Sequence, residues 1–243
     1  MARKPARKSA RPAATQESSE SSASSTPARS RDKVVAAFLE LLAERPFEEI
    51  GLSDIAARAG VSLAQLRDEF ASTLAILAAH IKATDRAVLA ADLSDMDEEP
   101  SRERLFDVLM RRLEVLAPHR EAVRSLLRSA RRNPPLAFAL NGLATRSQQW
   151  MLTAADISAA GPKGMLRAQG LAMLFSSVLR TWVDDEDPGH APTMAALDRA
   201  LGRGQRWSGF LDDVCGIPAR LCWARPRRRR RDDRNDEQAP AQV

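Results

Sequence analysis

Residues 51–70, GLSDIAARAGVSLAQLRDEF, carry the local signals that decide how this 243-residue chain folds. Leu52, Ile55 and Ala56 put an apolar face on a short helix, and Ala56 is small enough to let a neighbouring helix approach closely. Gly60 can take the left-handed backbone conformation that ends a helix without steric cost. Ser62 is placed to cap the next helix, Gln65 three residues on completes a capping box, and Val61 is placed to staple against Leu66. Helix, glycine turn and capped helix together form the sequence pattern of a helix-turn-helix, with helices expected over 52–59 and 63–69.

Outward from this motif the apolar residues keep helical spacing. Val34, Val35, Phe38, Leu41 and Leu42 mark a helix that begins near Asp32 and stops before Pro46. Further helices are expected over 73–91, 103–116, 119–131, 136–156, 163–183 and 193–214. Between them stand the acidic loop DLSDMDEEP, Pro118, Asn133-Pro134-Pro135, Gly161-Pro162 and DDEDPGHAP, each a breaker or loop signal. No stretch alternates with period two for long enough to make a strand, so the class is all-α. The first thirty residues are basic, Pro-interrupted and Ser-rich, without large apolar residues, and read as a disordered arm.

Composition narrows the function. With 44% hydrophobic and 28% charged residues the chain can bury a substantial core. No apolar run approaches the roughly 20 residues that span a bilayer, and no apolar block follows the basic N-terminus, so a cytoplasmic protein is expected. Cys215 and Cys222 suit reduced thiols better than a disulfide framework. His80, His119 and His190 lack metal-ligand spacing, there is no glycine-rich phosphate loop or nucleophile elbow, and the chain has no tyrosine. No enzyme activity, cofactor or metal is expected.

The net charge of +5 belongs to the ends. Residues 1–33 hold eight Lys/Arg against three Asp/Glu, and residues 224–243 hold seven against four, while 34–223 hold 22 against 25. Residues 34–82, which include the motif, hold four basic and seven acidic groups. A polyanion would be repelled there unless a flexible arm with Arg29, Arg31 and Lys33 compensates. The motif itself leaves two readings: a DNA-reading device, or a packing unit only.

DIAARAGVS followed by LRDEF resembles the DNA-binding domain of the TetR family over residues 32–82, with Phe47 and Phe70 at its aromatic core positions. The resemblance implies an N-terminal three-helix helix-turn-helix domain and a C-terminal helical bundle that forms a homodimer. The boundaries expected are an arm over 1–30, the DNA-binding domain over 31–82, a ligand-binding and dimerisation domain over 83–214, and a basic tail over 215–243. The second motif helix would enter the major groove of double-stranded DNA, bringing Leu63, Ala64, Gln65, Arg67 and Asp68 to it. Gln65 is the good base reader among them, able to pair bidentately with adenine. Arg31, Lys33, Gly51, Ser62 and Thr73 complete the expected DNA-binding set. The chain departs from the family pattern at Gly51, where Thr or Ser normally caps, at Arg67 for Tyr, at Glu69 for His or Tyr, and at Thr73 for Lys; Arg67 can keep a phosphate contact.

The last two long helices, with Leu166, Leu171, Leu174, Phe175, Val178, Leu179 and Trp182, then Met194, Leu197 and Leu201, lie where that family builds a four-helix dimer interface. Phe138, Leu140, Trp150, Met151, Met165, Met173 and Trp182 are candidates for a pocket taking an apolar small-molecule or lipid ligand, or else plain core. Arg120, Arg124, Arg128 and Arg131 form a stripe read first as a solvated face and second as an anion or partner site. LEVLAPHREAVRSLL, Trp150 with AADIS, and TWVDDEDPGHAPTMAALDRAL are also similar to lipid-binding accessory proteins of ubiquinone biosynthesis, which share this fold without acting on DNA. That similarity implies peripheral membrane contact through Trp207, Phe210, Leu211, Val214, Leu221 and Trp223, ahead of Arg225 and the arginines at 227–231. The alternative is a last bundle helix followed by a solvated tail.

Overall fold

The computed structural model describes residues 27–91 and 98–216, with side chains described over 30–91 and 98–204. Most of the expected arm, the C-terminal tail and the aromatic-plus-arginine segment expected to meet membranes lie outside the residues whose side chains are described. The helices are α1 (Pro27–Glu44), α2 (Leu52–Ala59), α3 (Leu63–Glu69), α4 (Thr73–Leu89), α5 (Ser101–Leu116), α6 (Arg120–Arg132), α7 (Pro134–Ala154), α8 (Gly161–Val183) and α9 (Ala191–Gly216). Two short 3-10 turns, Phe47–Glu49 and Ala117–His119, join α1 to α2 and α5 to α6. Among the described residues there is no strand.

Several expected boundaries are corrected: α5, α8 and α9 begin two residues earlier than expected, at Ser101, Gly161 and Ala191, and two further starts have a clear local cause. α1 begins at Pro27, within the segment read as a disordered arm, because proline suits the first turn of a helix, where its missing N–H has no partner to lose. α7 begins at Pro134 rather than 136. Asn133 caps it by accepting from the Leu136 backbone N–H at 3.0 Å, and the two prolines fill the first turn. Asn-Pro-Pro is thus a helix start as much as a helix stop.

Two apolar clusters form. The first gathers Val34, Phe38, Leu41 and Leu42 of α1 with Ile55 of α2, Leu66 of α3, Phe70, and Ile76 and Leu77 of α4. Phe38 meets Phe47 edge to face, with ring centroids 6.2 Å apart. The second gathers Leu109 and Leu113 of α5, Met151 of α7, Phe175, Val178 and Trp182 of α8, and Leu197 of α9. α4 contributes to both, with Ile76 in the first and Val88 in the second. α6 likewise turns Ala122 to the first and Val123 and Leu127 to the second.

Polar ties fix α6 between the two. Ser125 Oγ donates to the Arg45 carbonyl at 3.1 Å, Ser129 Oγ accepts from the Phe47 N–H at 3.1 Å, and Asn133 Nδ2 donates to Glu48 at 3.2 Å. On its other side Arg120 donates to the Asp185 carbonyl at 2.7 Å and lies 4.8 Å over the Trp182 ring, and Arg124 donates to the Val183 carbonyl. The reading of the arginine stripe as a solvated face therefore holds for Arg128 and Arg131, which are exposed, and is corrected for Arg120 and Arg124. These two satisfy carbonyls left open at the C-terminal end of α8. Within the bundle, Arg112 of α5 pairs with Asp85 of α4, and Ser147 of α7 donates to the same carboxylate at 2.6 Å, all three buried.

The expected apolar pocket does not form from the residues assigned to it. Met151 and Trp182 are packed in the bundle core, whereas Phe138, Trp150, Met165 and Met173 are 81%, 57%, 61% and 64% exposed on α7 and α8. These helices are apolar on two faces, and helical spacing marks a face without saying which one turns inward.

Candidate nucleic-acid interface

The ends of α2 and α3 are set by local hydrogen bonds. Gly51 has no side chain to cap α2. Its own N–H instead donates to Asp54 Oδ2 at 3.0 Å, which places the carboxylate at the positive end of the helix, within 3.1 Å of Arg45. Gly60 ends α2 at φ 66° and ψ 35°, in the left-handed region, and the next residue, Val61, donates back to the Ala56 carbonyl at 3.0 Å. Ser62 then opens α3. Its Oγ accepts from the Gln65 N–H at 3.2 Å while the Gln65 Oε1 accepts from the Ser62 N–H at 2.9 Å.

α3 buries only Leu66, in the first cluster, and leaves most of its other residues exposed. Ser62, Leu63, Ala64, Gln65, Arg67 and Asp68 are exposed together, and Leu63 is 56% exposed. Arg67 is the cation of this surface, with Nη1 3.4 Å from the Ala71 carbonyl. Arg31 of α1 reaches the far end of α3: its Nη1 lies 3.3 Å from the Glu69 carbonyl and 3.5 Å from Glu69 Oε2, and its guanidinium sits 4.5 Å from the Phe70 ring centroid. Gly51 is exposed at the α2 start, Lys33 is exposed on α1, and Thr73 is half-buried at the start of α4.

Gln65 has two assignments that compete. A bidentate contact to adenine needs its Oε1 as acceptor and its Nε2 as donor. The capping box already engages the Oε1. Reading a base in that way requires the side chain to leave the box; otherwise only the Nε2 reaches outward.

The surplus of acid in this region is largely paired. Arg58 holds Glu44 through two contacts of 2.8 and 2.9 Å and approaches Glu40 at 3.5 Å, and the Glu44 carboxyl is held below its usual range by that hydrogen bonding. With Arg45 on Asp54 and Arg31 on Glu69, four acids each stand against an arginine. Among the described residues Asp68 is left as the unpaired acid of α3. One element of this site was readable and was missed: Ser72, directly before α4, caps that helix by accepting from the Ala75 N–H at 3.2 Å.

The sequence matches no protein-family model and no curated protein. Solved structures do match. A TetR transcriptional regulator from Nitrosomonas europaea superposes with a TM-score of 0.56 at 26% identity, covering 72% of this chain and 97% of that one. A TetR transcriptional regulator from a Rhodococcus species superposes with a TM-score of 0.53 at 20% identity, covering 73% and 96%. The similarity to quinone-biosynthesis proteins gains nothing from these matches, and among the described residues no helix is long and apolar enough to cross a membrane.

Proposed function

The chain has the fold of the TetR-family transcriptional regulators, and from that premise we propose that it regulates transcription by binding double-stranded DNA as a homodimer, with a small molecule as effector. The observation that carries this reading is α3: a short helix capped at its start, anchored by one buried leucine, with Leu63, Gln65 and Arg67 turned outward on one surface. Its dimensions suit a major groove, where Leu63 offers an apolar contact for a thymine methyl, Gln65 a hydrogen bond to a base edge, and Arg67 a phosphate contact. Arg31 and Lys33 of α1 add backbone contacts, as do Gly51, Ser62 and Thr73 beside helix starts, where the helix dipole favours a phosphate. This reading goes with the cytoplasmic location expected from the sequence.

The homodimer reading is supported by the outer face of α8. Leu166, Gly170 and Met173 follow one another at helical spacing and are all exposed, with Phe138 and Trp150 exposed on the adjoining α7. An isologous contact there supplies the two-fold symmetry that a palindromic site needs. The test is recovery of genomic DNA fragments on the full-length protein. A defined set of fragments, lost in a Gln65→Ala/Arg67→Ala double variant, is expected; identical recovery by the two proteins, which would assign binding to the basic ends of the chain, overturns the proposal.

A further inference from the structure

A cavity of about 480 Å³ opens between α1 and α4, with the 3-10 turn before α6 at one end. Its apolar lining is Val35 and buried Leu39 from α1, with Ala79 and the exposed Ala83 from α4. Its rim is cationic. Lys82 and Arg86, one turn apart on α4, both line it and neither has an ion-pair partner among the described residues, and Arg31 stands across from them on α1. A single acid, Asp32, lies among these groups. At the end of the cavity the rings of His80 and His119 meet edge to face, 5.2 Å apart.

Three features of this arrangement go unexplained by folding alone. Three other arginines around the first cluster are matched to acids: Arg58 to Glu44, Arg45 to Asp54, Arg31 to Glu69. Like charges four residues apart on a helix disfavour it, and here Lys82 and Arg86 face a cavity without the compensation found nearby. His80 Nε2 is also buried without a hydrogen-bond partner, and buried polar atoms in folded proteins are almost always satisfied. Burial first, then His119 and Arg112, push the His80 pKa down to about 4, so the ring is neutral at pH 7, one nitrogen a donor and the other an acceptor.

We infer that this cavity binds a small amphiphilic anion, a carboxylate or phosphate group held by Lys82 and Arg86 beside His80, with a short apolar body against Val35, Leu39, Ala79 and Ala83. Charge-assisted hydrogen bonds from two cations fix the head, and the alanines leave room for the body. The site lies at the joint between α1 and α4, outside the bundle core. That the anion serves as an effector rests on the regulatory reading above; that it binds does not.

The three histidines allow the test to be made on the full-length protein without DNA, because His190 stands apart in the turn before α9 and serves as an internal reference. Imidazole NMR signals are followed while hexanoate, hexyl phosphate or neutral hexanol is added at constant ionic strength. Saturable shifts of His80 and His119 with one or both anions, a still His190 and no response to hexanol are expected. Hexanoate against hexyl phosphate then identifies the head group. A Lys82→Gln/Arg86→Gln variant, whose exposed side chains leave the fold intact, is expected to bind at least tenfold more weakly. No shift with either anion, equal shifts at all three histidines, the same response to hexanol, or unchanged affinity in the variant each overturns the inference.

Discussion

Around α2 and α3 the chain is held by side chains three residues away: Asp54 on Gly51, Ser62 and Gln65 on each other, Ser72 on Ala75. Around α5, α7 and α8 it is held by partners far apart in sequence. Arg112 meets Asp85, Ser147 meets the same carboxylate, Gln169 bonds Asn141 and Thr145 at 2.8 to 3.1 Å, and Arg120 holds the Asp185 carbonyl. The two kinds of tie fail differently. A lost cap leaves a backbone N–H that water can still satisfy, so the loss is small and local. A lost partner in the bundle leaves a buried charge with nothing to replace it, so the loss is large and spreads to every helix that meets there.

The largest expected effect follows from that difference. Asp85→Ala removes the partner of buried Arg112 and is expected to destabilise the fold by about 3–5 kcal/mol, read from urea denaturation, while replacing Asp85 by Leu together with Arg112 by Met costs much less. If the single and double changes cost the same, the pair is not what holds α4 to α5. Next is Gly60→Ala. The added methyl meets no atom within 4 Å, so the cost, about 1–2 kcal/mol, comes from holding alanine at φ +66°. A cost near zero would mean that the turn can relax. Smaller again is Ser62→Ala, at about 1 kcal/mol from the lost cap, with the bundle unaffected.

A separate effect, read against pH rather than as a single cost, is expected at the joint of the two regions. The depressed pKa of His80 means that protonation favours the unfolded chain, so the stability it confers is complete above about pH 6.5 and is lost as pH falls towards about 4. Burial lowers the His119 pKa too, with the same sign. The groups facing the pair are Arg31 and Asp32 from α1, Lys82 and Arg86 from α4, and Arg112 from α5. His80→Gln is expected to flatten the change in urea midpoint between pH 7 and pH 5; an unchanged slope would assign it to carboxylates such as Glu48 and Asp185, whose pKa values are lowered by hydrogen bonds.

Legibility in the sequence follows the same division. Gly60, Ser62 and Gln65 act within about one turn of their partners, so their spacing alone placed α2 and α3 to the residue. The class and the order of helices were legible for the same reason, since breakers act locally. Facing was not. Phe138, Trp150, Met165 and Met173 have the period of a buried stripe, but α7 and α8 each carry two such stripes, and only the packing of the bundle decides which is inside. Arg120 and Arg124 read as solvated because their acceptors, carbonyls at and just past the end of α8, lie 65 and 59 residues away. Gln65 was legible both as a cap and as a base reader; that one oxygen serves both is a matter of geometry.

That oxygen gives the central claim its most direct measurement: fluorescence anisotropy of the full-length protein on a fragment recovered from its own genome, over a range of salt, with wild type, Gln65→Ala and Arg67→Ala. If α3 reads DNA, log affinity falls linearly with log salt, Arg67→Ala flattens that slope by about one, and Gln65→Ala weakens the recovered fragment by roughly 1–3 kcal/mol more than an unrelated one. If both variants keep the wild-type affinity and slope on every fragment, α3 is a packing unit and the account is contradicted.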